Sequence, residues 1–177
     1  STDPVNAKDE WLSQSLRNAG AGAVKKGPAT LGVELISNGS FEKLAGDMPA
    51  GCAVRTYRGS AQHRVTDVAR TGKRSIEISS AKGADSSVHF DFKVDRDSEY
   101  ELSGWIKTEN IAGGGHGALV ALHALPGKPR SKALKGTNDW TQVKLRFETG
   151  SATSISINCL FGGWGTSTGK AWWDDVS

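Results

Sequence analysis

From Leu31 onward the chain alternates apolar and polar residues with a period of two. Val88, Phe90, Phe92 and Val94 are interleaved with His89, Asp91 and Lys93. Tyr100, Leu102, Gly104 and Ile106 alternate with Glu101, Ser103, Trp105 and Lys107. The rhythm recurs in Val143, Leu145 and Phe147 against Lys144 and Arg146, and in Ile155, Ile157, Cys159 and Phe161 against Ser156, Asn158 and Leu160. Successive side chains of a strand point to opposite faces. Each run therefore predicts a strand with one apolar face on a core and one mainly polar face. Turn residues separate the runs at Thr71-Gly72-Lys73, Asp95-Arg96-Asp97, Gly113-Gly114-Gly115 and Gly136-Thr137-Asn138-Asp139. About ten such strands predict an all-β fold, a two-sheet antiparallel β-sandwich of the jelly-roll kind.

Residues 1–30 have a different pattern. Trp11, Leu12, Ser15, Leu16 and Ala19 have helical spacing, with Asn6 as a cap and Gly20 as a stop. The stretches Gly20-Ala21-Gly22-Ala23 and Lys25-Lys26-Gly27-Pro28 then have linker composition. The expected organisation is a short helical lead-in with its linker over 1–30 and a sandwich module over 31–177. Ser1-Thr2-Asp3-Pro4 opens the chain without Met, which reads as a processed or trimmed end of a longer protein.

Composition narrows the function classes. A chain of 177 residues can bury a core without disulfide staples. Cys52 and Cys159 match neither a zinc pattern nor Cys-x-x-Cys. A disulfide and two buried thiols are both open, and Cys159 favours thiols because it continues an apolar alternation. The net charge of +3 writes no polyanion field into the whole chain. Local basic clusters do occur, at Lys73-Arg74 and at Lys128, Arg130, Lys132 and Lys135. They are solvated loops or contacts for acidic or sulfated glycans. No apolar run is long enough to span a membrane, so no membrane insertion is expected. Basic and aromatic residues are not interleaved on a platform, so nucleic acid is not an expected partner. His63, His89, His116 and His123 lack transition-metal spacing.

Asn38-Gly39-Ser40-Phe41-Glu42, Thr71-Gly72-Lys73-Arg74-Ser75-Ile76, the run Tyr100 to Asn110, Asp139-Trp140 and Trp173-Asp174-Asp175-Val176-Ser177 occur in that order. Together, over roughly residues 33–177, they resemble the galactose-binding-like jelly rolls of carbohydrate-binding modules of the family 4, 9 and 22 type. The resemblance implies a non-catalytic glycan-binding module. Its setting would be a secreted multidomain protein, placing it extracellularly, in the periplasm or at the cell surface beside neighbouring domains. It also implies a structural Ca²⁺ held by Glu42, Asp174 and the carbonyls of Ser40, Thr71 and Arg74. Carboxylate and carbonyl oxygens are the ligands such a hard cation takes.

For a glycan site the family uses one sheet face. Trp105, His89 and His123 share polar-face parity, so they are expected to meet on one exposed face. Trp105 would stack on a sugar ring or else pack under a loop or the N-terminal helix. Asn158 has the polar parity of its strand, and Trp164 stands between glycines in Gly162-Gly163-Trp164-Gly165. Arg55 and Tyr57 alternate in a strand, with Arg130 in a loop near it in the family pattern. Arginine offers paired donors to hydroxyls, uronates or sulfates. The stretch Gly83 to Val88 lacks the Trp that related modules often carry. Two alternatives stand beside the glycan-binding reading. One is a structural or interaction domain with no glycan ligand. The other is a jelly-roll polysaccharide lyase using His123, Tyr57 and Arg55.

Overall fold

A computed structural model of the chain describes residues 35–177. The helix and linker expected over 1–30 lie outside the described residues. The described residues form ten strands: β1 (Leu44–Ala45), β2 (Met48–Pro49), β3 (Ala53–Gly59), β4 (Gln62–Thr66), β5 (Ser75–Lys93), β6 (Glu99–Gly113), β7 (Gly117–His123), β8 (Gly136–Glu148), β9 (Ser154–Gly162) and β10 (Ser167–Asp174). No helix occurs among them. All pairings are antiparallel.

The 19-residue β5 organises the sandwich. Its first half pairs with β4 and β10, and its second half with β3 and β9. One long strand thus passes from one sheet into the other. The first sheet runs β4-β5-β10-β6-β8 and the second β3-β5-β9-β7. The segment 129–134 extends the second sheet beyond β7 through bridges Ala121–Arg130 and Ala118–Leu134.

The period-two runs place their apolar residues as expected. On β8, Val143, Leu145 and Phe147 are buried while Lys144 and Arg146 are exposed. Ile76, Ile78, Val88, Ile106, Val120, Leu122, Ile157, Cys159, Phe161 and Trp173 fill the space between the sheets. Trp173 is fully buried, and its indole Nε1 donates to Leu119 O at 3.1 Å, tying β10 to β7 across the core. Losing a ring of this size from a core costs about 3–5 kcal/mol. Its neighbour Trp172 points to the other face, yet it too is buried.

Two positions depart from the expected pattern. Gly136-Thr137-Asn138-Asp139 is not a turn but the start of β8. Its polar side chains bond the partner strand: Thr137 Oγ1 accepts from Asn110 N at 3.0 Å, and Asn138 Nδ2 donates to Thr108 Oγ1 at 2.9 Å. Turn-forming residues are used here for a register shift instead. The other departure is on β7 and β9, which are buried on both faces. Leu119, Ala121 and Leu160 form a second apolar cluster on the outward face, with Ala133 of the 129–134 segment packed against it.

The two ends of the module meet at a seam. Asn38 clamps its own loop, accepting from Lys43 N and donating to Lys43 O, each at 3.0 Å. Phe41 enters the core, and Val176 N donates to Gly39 O at 2.9 Å. A Cβ on Gly39 would overlap the Val176 carbonyl, so only glycine allows this approach. Ser177 exchanges backbone bonds with Ser103 on β6.

Candidate functional site

The outward face of the second sheet gathers most of the expected ligand residues. Register places His123, Ser156 and Asp91 in one row across β7, β9 and β5. The next row is Ala121, Asn158, His89 and Ala53, and the third is Leu119, Leu160, Ser87 and Arg55. Tyr57 follows Arg55 at a bulge in β3. Its hydroxyl lies 3.2 Å from His123 Nδ1 and donates to Asn158 Oδ1 at 3.5 Å. The Tyr57 and His123 rings meet edge to face with centroids 5.9 Å apart. β3 and β7 are three strand spacings apart, about 14 Å in a flat sheet. A direct bond between their side chains therefore requires this face to be concave.

Asn158 is buried at the centre of the network. Its Oδ1 also accepts from Ser87 Oγ at 3.1 Å, and its Nδ2 donates to Ser156 O at 3.0 Å. His89 Nδ1 is buried without a hydrogen-bond partner. His123 has its pKa lowered, first by burial and then by the positive charges of Lys128, His89 and Arg55, with Asp85 opposing. The imidazole is thus neutral at pH 7, and one ring nitrogen is free to accept.

Trp164 stands at one end of the face, 46% exposed. Its backbone has φ of 54°, a conformation that a bulky residue seldom adopts. Three contacts hold the loop. Gly163 N donates to Asp85 Oδ1 at 3.0 Å, His116 meets the indole edge-on at 5.4 Å, and the Arg130 guanidinium lies 4.6 Å from the ring centroid. Leu119, Ala121 and Leu160 are buried beside this loop, with Ala133 packed against them. The arrangement presents an aromatic face beside hydrogen-bonding groups, which suits a ring with apolar C–H faces and polar edges.

Arg55, Tyr57, His89, His123, Arg130, Asn158 and Trp164 therefore share this face, but Trp105 does not. Trp105 sits on β6 in the first sheet, opposite Asp174 and Gln142. It is half-buried under the Arg70 guanidinium, 3.7 Å from the ring centroid. The expectation that it joins His89 and His123 fails for a simple reason. Parity identifies the outward side of a strand, and a sandwich has two outward sides. Ser87 and Asp85 belong to the site without having been expected there. Both share the parity of His89 on β5, and that is the signal that could find them.

The proposed metal residues lie at the seam. Glu42 Oε1 accepts from Lys73 N at 2.8 Å and Arg74 N at 2.9 Å. Arg74 Nη1 donates to Glu42 O at 3.1 Å. Asp174 is fully buried, and its Oδ2 accepts from Arg70 N at 2.7 Å and Thr71 N at 3.2 Å. Its Oδ1 accepts from Asp175 N at 2.7 Å. Burial pushes the Asp174 carboxyl up to about 6 against the pull of these three amides. Asp175 is tied to Arg70 and to Thr71 Oγ1. Both expected metal carboxylates thus converge on the 70–74 loop, and amide donors take several of their lone pairs. Ser40 lies in the turn between Gly39 and Phe41, next to the same seam. Among the described residues no group of three or more His, Cys, Asp or Glu forms a metal cluster.

Both cysteines are free thiols, Cys159 buried and Cys52 half-buried. Burial raises both pKa values, that of Cys52 to about 11, so neither is a reactive thiolate. No described helix is long and apolar enough to cross a membrane.

The fold is similar to that of several solved carbohydrate-binding modules and of one phage tailspike domain. The family 61 module TmCBM61, solved in complex with β-1,4-galactotriose, matches with a TM-score of 0.55 at 14% identity. The match covers 80% of this chain and 94% of that one. The CBM22-1 xylan-binding domain from Paenibacillus barcinonensis Xyn10C matches with a TM-score of 0.52 at 16% identity, over 77% and 88% of the two chains. The enzymatically active domain of bacteriophage CBA120 tailspike protein 4 matches with a TM-score of 0.60 at 13% identity. That match covers 80% of this chain but 20% of the tailspike chain. No family model matches the chain. No curated protein matches it either. At these identities the likeness is one of fold, the jelly roll that the family 4, 9 and 22 resemblance implies.

Proposed function

We propose that this chain is a non-catalytic carbohydrate-binding module of a secreted multidomain protein, working outside the cell, in the periplasm or at the cell surface. A polysaccharide would lie on the concave face of the second sheet. The observation that carries this reading is the Tyr57–His123–Asn158 network on that face, with the exposed, strained Trp164 at its end. Trp164 would stack on a sugar ring, while Tyr57, His89 and Arg55 would meet hydroxyl and ring oxygens and the buried Asn158 would hold the Tyr57 hydroxyl from beneath. A glycan array probed with the chain, followed by calorimetry on each hit, tests it. Binding lost in Trp164→Ala supports the face. Binding to no glycan would favour an interaction domain instead.

The Tyr57–His123 bond also favours a second reading, as a lyase. The two residues are the acid and base types such an enzyme needs, with Arg55 as charge neutraliser. Incubation with a polyuronate separates the two readings. A lyase would generate the ultraviolet absorbance of unsaturated sugar ends, and a binding module would not.

A structural Ca²⁺ at the seam belongs to the same proposal. Glu42 and Asp174 both dock on the 70–74 loop, and the carbonyls of Thr71, Arg74 and Ser40 would complete a hard-oxygen set. The ion would compete with the amides for carboxylate lone pairs, so its effect is measurable as a change in stability.

A further inference from the structure

Cations outnumber carboxylates on the concave face. Register puts Arg55 on it beside Ser87. Arg130 bridges Ala121 at its opposite margin and lies over the Trp164 ring. His89 and His123 lie between these margins. Lys128, in the β7–β8 connection, and Arg55 are both near enough to His123 to act on it electrostatically.

The carboxylates do not balance these cations. Among the described residues, ion pairs employ Arg64, Arg70, Arg74, Lys107, Lys144, Arg146 and Lys170. Arg55, Lys128 and Arg130 enter none of them. Two carboxylates share the face, Asp85, one oxygen of which accepts from Gly163 N, and Asp91, in the row of His123; neither forms an ion pair with Arg55, Lys128 or Arg130. An arginine pairs with a carboxylate where one is in reach, because the paired geometry is strong. Here two arginines and a lysine flank a concave face, and a buried imidazole nitrogen there, His89 Nδ1, lacks a partner. A neutral glycan would use Arg55 and the other hydroxyl-binding groups as hydrogen-bond donors but leave the positive charge of the face unbalanced.

We infer that the ligand of this face is an anionic glycan, whose carboxylate or sulfate groups are held by Arg55 and Arg130 while a sugar ring stacks on Trp164. This rests on the glycan-binding reading and adds the charge of the ligand. It also predicts which cations matter. Arg55 and Arg130 sit on the face, whereas Lys132 and Lys135 lie further along the connection.

The test is calorimetry with four probes: polygalacturonate, dextran sulfate, neutral β-1,4-galactan and poly-glutamate. Polygalacturonate or dextran sulfate should bind at least about tenfold more tightly than galactan at low salt, with the preference eroding as salt is added. Whichever binds better tells carboxylate from sulfate. Arg55→Gln and Arg130→Gln should each weaken that binding about fivefold or more, while Lys132→Gln changes it less than about twofold. Thermal melts show whether each variant is folded, and Arg55→Lys keeps the charge without the fork. Equal affinity for galactan and polygalacturonate, unchanged by Arg55→Gln, overturns the anionic inference and leaves glycan binding standing. Binding of poly-glutamate as tightly as the anionic glycans also overturns it, because charge alone would then suffice. Binding of none of the four overturns the inference, and glycan binding itself falls if the array is blank too.

Discussion

Asp174 sets two physical effects against each other, and Asp174→Asn decides between them. The carboxylate is fully buried, which disfavours its charge, yet three backbone amides donate to it, which favours the charge. Burial is the larger effect and lifts the pKa from 3.8 to about 6. In the folded state the group therefore holds its proton to higher pH than in the unfolded chain. The stability it contributes is fully present below the unfolded value and is lost as pH rises through the folded one. A gap of about two pH units, at about 1.4 kcal/mol each, makes the loss roughly 3 kcal/mol. For a domain of this size that is a fall in Tm of about 6–12 °C. The carboxamide of the Asp174→Asn variant would be neutral at every pH and escape this loss, although one amide would face its NH₂ at a cost of about 1–3 kcal/mol. Urea melts of both proteins at intervals from about pH 3.5 to 7.5, in chelator, isolate the effect. The wild type should lose roughly 3 kcal/mol relative to Asp174→Asn between about pH 4 and 6.5. A difference that stays constant, or grows in favour of the wild type, would refute the reasoning. It would mean that the three amides outweigh desolvation.

Calcium should raise the Tm and EDTA lower it if the ion joins the seam, and Asp174→Ala should remove the response. An unchanged Tm after chelation, with metal loss confirmed by elemental analysis, would leave the amide-clasped carboxylates as the whole seam. Trp164→Ala should weaken glycan binding by about 1–3 kcal/mol while leaving the melting curve within about 1 °C, because the side chain is exposed at the end of the site. Trp105→Ala should do the reverse. It should cost about 1–2 kcal/mol of stability by removing the ring under Arg70, and calorimetry should show glycan affinity unchanged. If Trp105→Ala abolishes binding in a folded protein, the ligand face is on the first sheet.

The strand pattern was largely legible without the structure. The buried Val143, Leu145 and Phe147 against exposed Lys144 and Arg146 follow directly from alternation. The meeting of the first and last motifs was legible only through the family resemblance, which joins Glu42 to Asp174, and the structure shows the contacts that make it. Asn38 bonds its own loop, Gly39 lets Val176 approach, and Phe41 enters the core. The burial of Leu119, Ala121 and Leu160 on an outward face was not legible. It depends on the 129–134 segment lying beside β7, a contact between chain parts that alternation does not encode.

Which side of β6 or β8 is apolar could be read from the chain alone, because it is a property of neighbouring residues and of the two-residue period of a strand. Parity likewise put His89, His123, Asn158 and Trp105 on outward positions. The sheet that each strand joins depends instead on the assembled fold. β5 crosses from one sheet to the other and carries His89 into the second, while β6 stays in the first with Trp105. The curvature that lets Tyr57 reach His123 is likewise a property of the assembled sheet. Strand pairing is chosen by the burial of whole faces against one another over long sequence separations. Two residues of identical local parity can therefore finish on opposite sides of the molecule.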